Sequence, residues 1–156
     1  MRKVKIITDS TNDLTRKMLD SYGITIVPLY VDFGEESYKD GVDLIPERLF
    51  ELVEEKNILP KTAAPSPYDF IGYYRQYLDS GYDIIVITIS SKISATYQNA
   101  LLAMQEFPKD RIWVIDSQNL STGIGLLVML AGEYAREGRS AGEIAEKLQE
   151  IIPRVR

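Results

Sequence analysis

Hydrophobic and polar positions follow two periods along the chain, one typical of strands and one typical of helices. Apolar runs rich in β-branched residues at 4–8, 24–33 and 111–115 predict strands. The run 84–89 reads Ile-Ile-Val-Ile-Thr-Ile without a charged residue. Such continuity is typical of a strand covered on both faces, so this segment is predicted to lie at the centre of a sheet.

Apolar residues at helical spacing separate these runs. They predict helices over 14–22, 46–56, 66–81, 94–107, 121–136 and 140–152. Gly23 is predicted to end the first helix, Ser66 to cap the third, and Ser140 with Glu143 to form a capping box on the last. A polar hairpin is expected from Gly34 to Gly41, and 59–65 is expected to be irregular because it contains two prolines.

The alternation of strands and helices predicts the fold class. Strand–helix–strand units give parallel strands with the connecting helices packed on the sheet. The chain has 156 residues, of which 45% are hydrophobic. This length and composition suit one domain with a single hydrophobic core better than two domains. We therefore expect a single α/β domain over 1–156, built on an open, mainly parallel sheet with helices on both faces.

Composition excludes several classes of function. The formal charge is −5 and no block of basic residues is present, which argues against nucleic acid as a partner. The chain has no Cys and no His, which excludes disulfides, thiol or imidazole nucleophiles, and the usual zinc and iron ligand sets. The longest apolar stretch is too short to span a membrane, and the first residues do not form a signal-peptide core. We expect no stable membrane insertion and a cytoplasmic location.

Hydroxyl side chains collect where the predicted strands end. They occupy Thr8–Thr11, Ser90–Thr96 and Asp116–Gly123, and Thr62 and Ser66 add two more in the proline-bounded segment. Ser, Thr and Asp are preferred helix caps, so capping explains any one of these junctions. Three such junctions at the carboxyl edge of one sheet favour a site for a small anion, a carboxylate or phosphate held by neutral donors.

Other kinds of site find less support. Gly123-Ile124-Gly125 lacks the third glycine of a dinucleotide-binding motif. Without His, a Ser hydrolase would need Lys92 as its base. Asp9 and Asp116 could hold a divalent ion in a metal-dependent phosphotransferase or hydrolase, although such ions usually want more oxygen ligands. A domain that folds but binds little is a further alternative.

Four segments carry a family resemblance. They are 7–14, 61–67, 90–100 and 116–126, which read ITDSTNDL, KTAAPSP, SSKISATYQNA and DSQNLSTGIGL. In this order they resemble the DegV family of bacterial fatty-acid-binding proteins, and the resemblance spans nearly the whole chain.

The resemblance implies a binding protein and not an enzyme. Members of the family carry a long-chain fatty acid between two α/β domains without a cofactor, and some present it to a fatty acid kinase. By resemblance, Thr62 and Ser94 would bind the carboxylate. The residues expected to line or brace the pocket mouth are Asp9, Ser10, Ser91, Ala95, Thr96, Asp116, Ser117 and Ser121.

The chain departs from the family pattern at two residues and in length. Ala63 and Ala95 stand where Ser and Gly are usual, which removes a hydroxyl and adds a methyl beside the head group. Family members continue into a second domain that has no counterpart in these 156 residues, so the chain resembles the N-terminal domain. The apolar tail is expected to contact walls near Ile93, Leu126 and Leu127.

Overall fold

The chain is organised around a parallel sheet of four strands. The computed structural model describes residues 2–155. Its strands are β1 (Val4–Asp9), β2 (Thr25–Val27), β6 (Asp83–Thr88) and β7 (Ile112–Asp116). They follow the order β2-β1-β6-β7 and all neighbours are parallel. β6 lies between two neighbours and its residues 84–88 are fully buried, which confirms the predicted centre of the sheet.

Helices cover both faces of this sheet, as the alternation predicted. They are α1 (Arg16–Tyr22), α2 (Pro46–Lys56), α3 (Pro67–Asp79), α4 (Thr96–Met104), α5 (Thr122–Arg136) and α6 (Ala141–Ile151). One core joins α1, α5 and α6 to one face through residues such as Leu19, Ile85 and Ile144. The other joins α3 and α4 to the opposite face through residues such as Phe70, Val86 and Ala100.

A second, antiparallel sheet is inserted between β2 and α3. It consists of β3 (Tyr30–Phe33), β4 (Glu36–Lys39) and β5 (Lys61–Ala63) in the order β4-β3-β5. α2 packs on it around Val31, Phe33, Leu44 and Leu52. We call this unit the inserted sheet.

The inserted sheet corrects two sequence predictions. The segment 24–33 is not one strand, because it divides at Pro28 into β2 and β3, which belong to different sheets. Proline lacks an N–H and cannot continue a ladder, so the chain leaves the first sheet there. The segment 59–65 is not wholly irregular, because Lys61–Ala63 pairs with β3.

Most predicted boundaries are confirmed. Gly23 ends α1 at φ 62°, and the capping boxes of Ser66 and Ser140 are both complete. α4 is shorter at both ends than the predicted 94–107. Within residues 2–155, no helix is long and apolar enough to cross a membrane.

Candidate functional site

The β6–α4 loop, residues 89–95, lies at the carboxyl edge of the parallel sheet and is tied to the strands on both sides. The Ile89 amide donates to Asp9 Oδ2 at 2.6 Å. The Ser91 amide and hydroxyl donate to Asp116 at 3.1 and 2.5 Å. The Ser90 amide donates to the Asn119 carbonyl at 3.0 Å. The ends of β1 and β7 therefore fix the loop that follows β6.

Ser94 and Thr96 form a pair of hydroxyls at the end of this loop. Their oxygens lie 2.8 Å apart, and Ser94 Oγ also accepts from the Thr96 amide at 3.2 Å. Thr96 is fully buried, whereas Ser94 is half-buried and remains accessible. Ala95 lies between them at the N-terminus of α4, so its methyl group stands where a capping side chain would be.

The N-cap residues of α4 and α5 do not cap their helices, although Ser94 Oγ accepts from the Thr96 amide at the start of α4. Thr15, Ser66 and Ser140 each accept an amide of the first turn, of α1, α3 and α6 respectively. In the described part of the chain, no side chain at the N-cap positions Ala95 and Ser121 does so. The first turns of α4 and α5 carry partial positive charge at the sheet edge, which favours an anion.

Thr62 approaches from the inserted sheet. It lies on β5 opposite Val31 and is exposed. Three residues later, the Pro65 carbonyl accepts from Asn99 Nδ2 of α4 at 2.8 Å. Three extended residues span at most about 10 Å, so the bond from Asn99 to Pro65 limits how far Thr62 can lie from α4. Asn99 belongs to the motif at 90–100, but an isolated Asn on a helix does not by itself predict this contact.

Several predicted mouth residues brace the backbone. Ser10 Oγ accepts from the Leu29 amide at 3.1 Å, and the fully buried Ser117 hydroxyl bonds both polar backbone atoms of Asn119. Ser121 donates to Asp13, a residue that the sequence analysis did not single out. Ser10 lines a cavity of about 550 Å³ beside the edge strand β2, whereas Asp116 lines one of about 280 Å³ at the opposite edge.

Asp9 is the most deeply buried carboxylate of the site, with no exposed surface. Its Oδ1 accepts from the Thr11 amide at 3.0 Å and from the Thr11 hydroxyl at 2.6 Å. Burial raises the pKa of Asp9, and the hydrogen bonds from Thr11 and Ile89 only partly oppose this. Asp9 can therefore organise the loop but cannot touch a ligand.

The structure does not bring Asp9 and Asp116 together. β6 lies between their strands, which places their backbones about 10 Å apart by ordinary strand spacing. Each carboxylate accepts from backbone amides of the β6–α4 loop. Among residues 2–155, no three acidic side chains are grouped to hold a metal ion. Lys92, the alternative base, is exposed.

Three apolar side chains are exposed in the β6–α4 loop, in the loop before α5 and in the N-terminal half of α5. Ile93, Leu120 and Leu126 are 61%, 53% and 62% exposed. Ile93 and Leu126 are predicted from the sequence to form an apolar wall. Leu120 is not, because its place in the loop before α5 gives no periodic signal. Leu127, also expected there, is 1% exposed and belongs to the core on the α5 face.

Comparison with known sequences identifies relatives over the whole chain. The profile described as "Uncharacterised protein, DegV family" matches residues 3–156. A DegV domain-containing protein of Clostridium perfringens is 42% identical over 150 residues, covering 96% of this chain and 54% of that protein. A second, from Caldanaerobacter subterraneus subsp. tengcongensis, is 40% identical over 156 residues, covering 100% of this chain and 55% of that protein.

Solved structures share the fold. A DegV family protein from Thermus thermophilus, described by its fatty acid binding, is 37% identical with a TM-score of 0.88, covering 98% of this chain and 54% of that one. A stearic acid-binding protein from Eubacterium ventriosum is 32% identical with a TM-score of 0.82, and the match covers 94% of this chain and 52% of that one. The chain thus spans about half the length of the relatives it matches. On this evidence, the chain belongs to the DegV family.

Proposed function

We propose that this chain binds a long-chain fatty acid and holds its carboxylate with Thr62, with the Ser94 hydroxyl and with amides of the first turn of α4. The observation that carries this proposal is the accessible Ser94 hydroxyl, paired with Thr96 at the start of α4, where the N-cap residue Ala95 makes no capping hydrogen bond. The fatty acids bound by the related proteins support the choice of ligand.

The chemistry of the site suits a carboxylate that is held without being changed. Hydroxyl and amide donors form charge-assisted hydrogen bonds, each contributing about 1.5–3 kcal/mol to binding. Burial of the acyl tail contributes about 0.8 kcal/mol per methylene. The tail runs along the exposed side chains of Ile93, Leu120 and Leu126. We expect no cofactor and no catalytic role, and place binding in the cytoplasm.

A carrier of this kind delivers its acid to another protein. A fatty acid kinase that phosphorylates the bound carboxylate is the partner we propose, because the accessible Ser94 hydroxyl lies at the carboxyl edge of the sheet, where a second protein can reach a head group bound there. No grouping of acidic side chains among residues 2–155 favours the alternative of a metal-dependent hydrolase or phosphotransferase.

Palmitate binding by variants at the two hydroxyls tests the proposal. Ser94→Ala and Thr62→Val each remove one donor to the carboxylate, so each is expected to lower affinity about tenfold or more. Ser140→Ala is the matched control, because it removes a hydroxyl that caps α6, away from this edge. Titration with fluorescent or isotopically labelled acid measures the effect, and mass spectrometry of the purified protein identifies acid acquired in the cell.

Two results would count against it. Failure of the unmodified chain to take up palmitate would overturn fatty acid binding by these residues. Unchanged affinity in both hydroxyl variants would overturn the assigned head-group site while leaving lipid binding in place.

A further inference from the structure

The buried side chain of Asp9 takes the place of a backbone acceptor at the carboxyl edge of the sheet. β6 ends at Thr88, and the next amide, that of Ile89, donates to Asp9 Oδ2 in place of a backbone carbonyl. The Asp9 side chain therefore continues the β1–β6 pairing by one residue and sets the direction in which the chain leaves the strand.

Three donors converge on this one side chain, which explains why it is a carboxylate. The Ile89 amide, the Thr11 amide and the Thr11 hydroxyl all point toward Asp9 oxygens. An ionised carboxylate accepts all three, whereas the amide group of Asn would turn its own N–H donors toward at least one of them. A buried charge is costly unless it is hydrogen-bonded in this way, and the raised pKa of Asp9 reflects that cost.

The loop beyond Ile89 transmits its position to Ser94. The Ser90 carbonyl accepts from the Ile93 and Ser94 amides at 3.1 and 3.2 Å, and Ser90 Oγ accepts from the Lys92 amide at 3.3 Å. These bonds make residues 90–94 one compact turn. A shift at Ile89 therefore moves the Ser94 hydroxyl as part of the same body.

We infer that Asp9 is a positioning residue, whose carboxylate sets the place of the Ser94 and Thr96 hydroxyls by fixing the first amide of the β6–α4 loop. The inference rests on the proposed function, since it concerns the same head-group site. Asp9 acts on the carboxylate of the ligand through the loop and without contact.

The first test compares two ligands that share a tail, palmitate and hexadecanol. Asp9→Asn is expected to lower the ratio of palmitate to hexadecanol affinity about tenfold, because only the charged head group depends on the placed donors. Thr8→Val is the matched control. It removes an equally buried hydrogen bond across the same strands, from Thr8 Oγ1 to the Ile87 carbonyl at 2.8 Å, so it alters stability and leaves the ratio unchanged.

The second test needs no ligand. Amide hydrogen exchange of residues 89–96 is expected to be faster in Asp9→Asn than in Thr8→Val, with residues 84–87 unchanged in the Asn variant. Thr11→Val removes one of the three donors to Asp9 and should act in the same direction with a smaller effect. It serves in place of Asp9→Asn if that variant does not fold.

The outcomes separate the two ideas. Equal affinity of the wild-type chain for hexadecanol and palmitate would overturn the proposed function. The hydrogen-exchange result then decides whether Asp9 positions the loop. If Asp9→Asn keeps both the palmitate-to-hexadecanol affinity ratio of wild type and its amide exchange over residues 89–96, the inference is overturned and the proposed function stands.

Discussion

At the scale of single residues, Asp9 makes stability depend on pH in the direction opposite to most carboxylates. Its pKa in the folded chain lies above the ordinary value of 3.8 because the side chain is buried. Well below pH 3.8 the Asp9 carboxyl is protonated in both the folded and the unfolded chain. As pH rises, the unfolded chain loses the proton first, so the contribution of Asp9 to the free energy of unfolding falls until the folded pKa is passed.

Urea unfolding of wild type and Asp9→Asn at a series of pH values measures this effect. The stability of wild type relative to the Asn variant should decline from about pH 4 upward, because only wild type must bury an ionised group or take up a proton on folding. A difference that stays constant with pH would show that Asp9 titrates alike in both states. Glu143, whose pKa is lowered by the Ser140 hydroxyl and amide, contributes in the opposite sense in both proteins.

At the scale of elements, α5 depends on glycine to lie close to its neighbours. A Cβ on Gly125 would stand 2.7 Å from the Asn12 carbonyl oxygen, and one on Gly132 would stand 2.8 Å from the Tyr22 ring. Contacts this short force a shift of the helix or of its neighbour. Both glycines are therefore required by packing, since neither adopts a positive φ.

Alanine substitution in two helices checks this interpretation. Gly125→Ala should lower the free energy of unfolding by about 1–3 kcal/mol, and Gly132→Ala by less, because a ring can move where a carbonyl cannot. Gly72→Ala in α3 is the control. Within residues 2–155 nothing lies within 4 Å of its Cβ position, so helix propensity alone should raise stability by about 0.5–1 kcal/mol. Equal effects at Gly72 and Gly125 would contradict the packing argument.

At the scale of the whole molecule, the carboxyl edge combines buried polar braces with exposed apolar side chains. Leu126 and Leu127 are adjacent on α5, yet one is 62% and the other 1% exposed. Leu126→Gln is expected to leave the free energy of unfolding within about 0.5 kcal/mol of wild type and to weaken palmitate binding. Leu127→Ala should instead cost about 2–5 kcal/mol in stability.

Chemical denaturation and palmitate titration of both variants distinguish a wall for the tail from ordinary surface. Full palmitate affinity in Leu126→Gln would remove that side chain from the proposed path of the tail. Leu120→Gln and Ile93→Gln extend the test to the other exposed side chains of this edge.

The features that sequence predicted well are those set by neighbouring residues. The caps at Gly23, Ser66 and Ser140 depend on residues within one turn of helix. The unbroken apolar run of β6 predicts its burial directly. The features that it missed depend on distant partners. β5 has three residues and exists because β3 pairs with it, and no local pattern indicates such a strand.

The candidate site shows the same division. Hydroxyls at strand ends could be read from the sequence, but their separation into caps, braces and accessible donors could not. That division depends on hydrogen bonds such as Asp9 to Ile89, which joins residues 80 positions apart. A serine used as a cap and a serine open to a ligand have the same local sequence preference.

The strand order also governs how the protein can assemble. β1 pairs with β2 within the first 27 residues, but its partner on the other side, β6, ends only at residue 88. During synthesis the edge of β1 that pairs with β6 therefore stays unpaired while the inserted sheet and α3 are synthesised. Contacts between such distant segments slow folding, because a long loop must close before they yield any free energy. Pairing of β1 with β6 thus waits until residue 88 has been synthesised, and until then the free edge of β1 can pair with other strands.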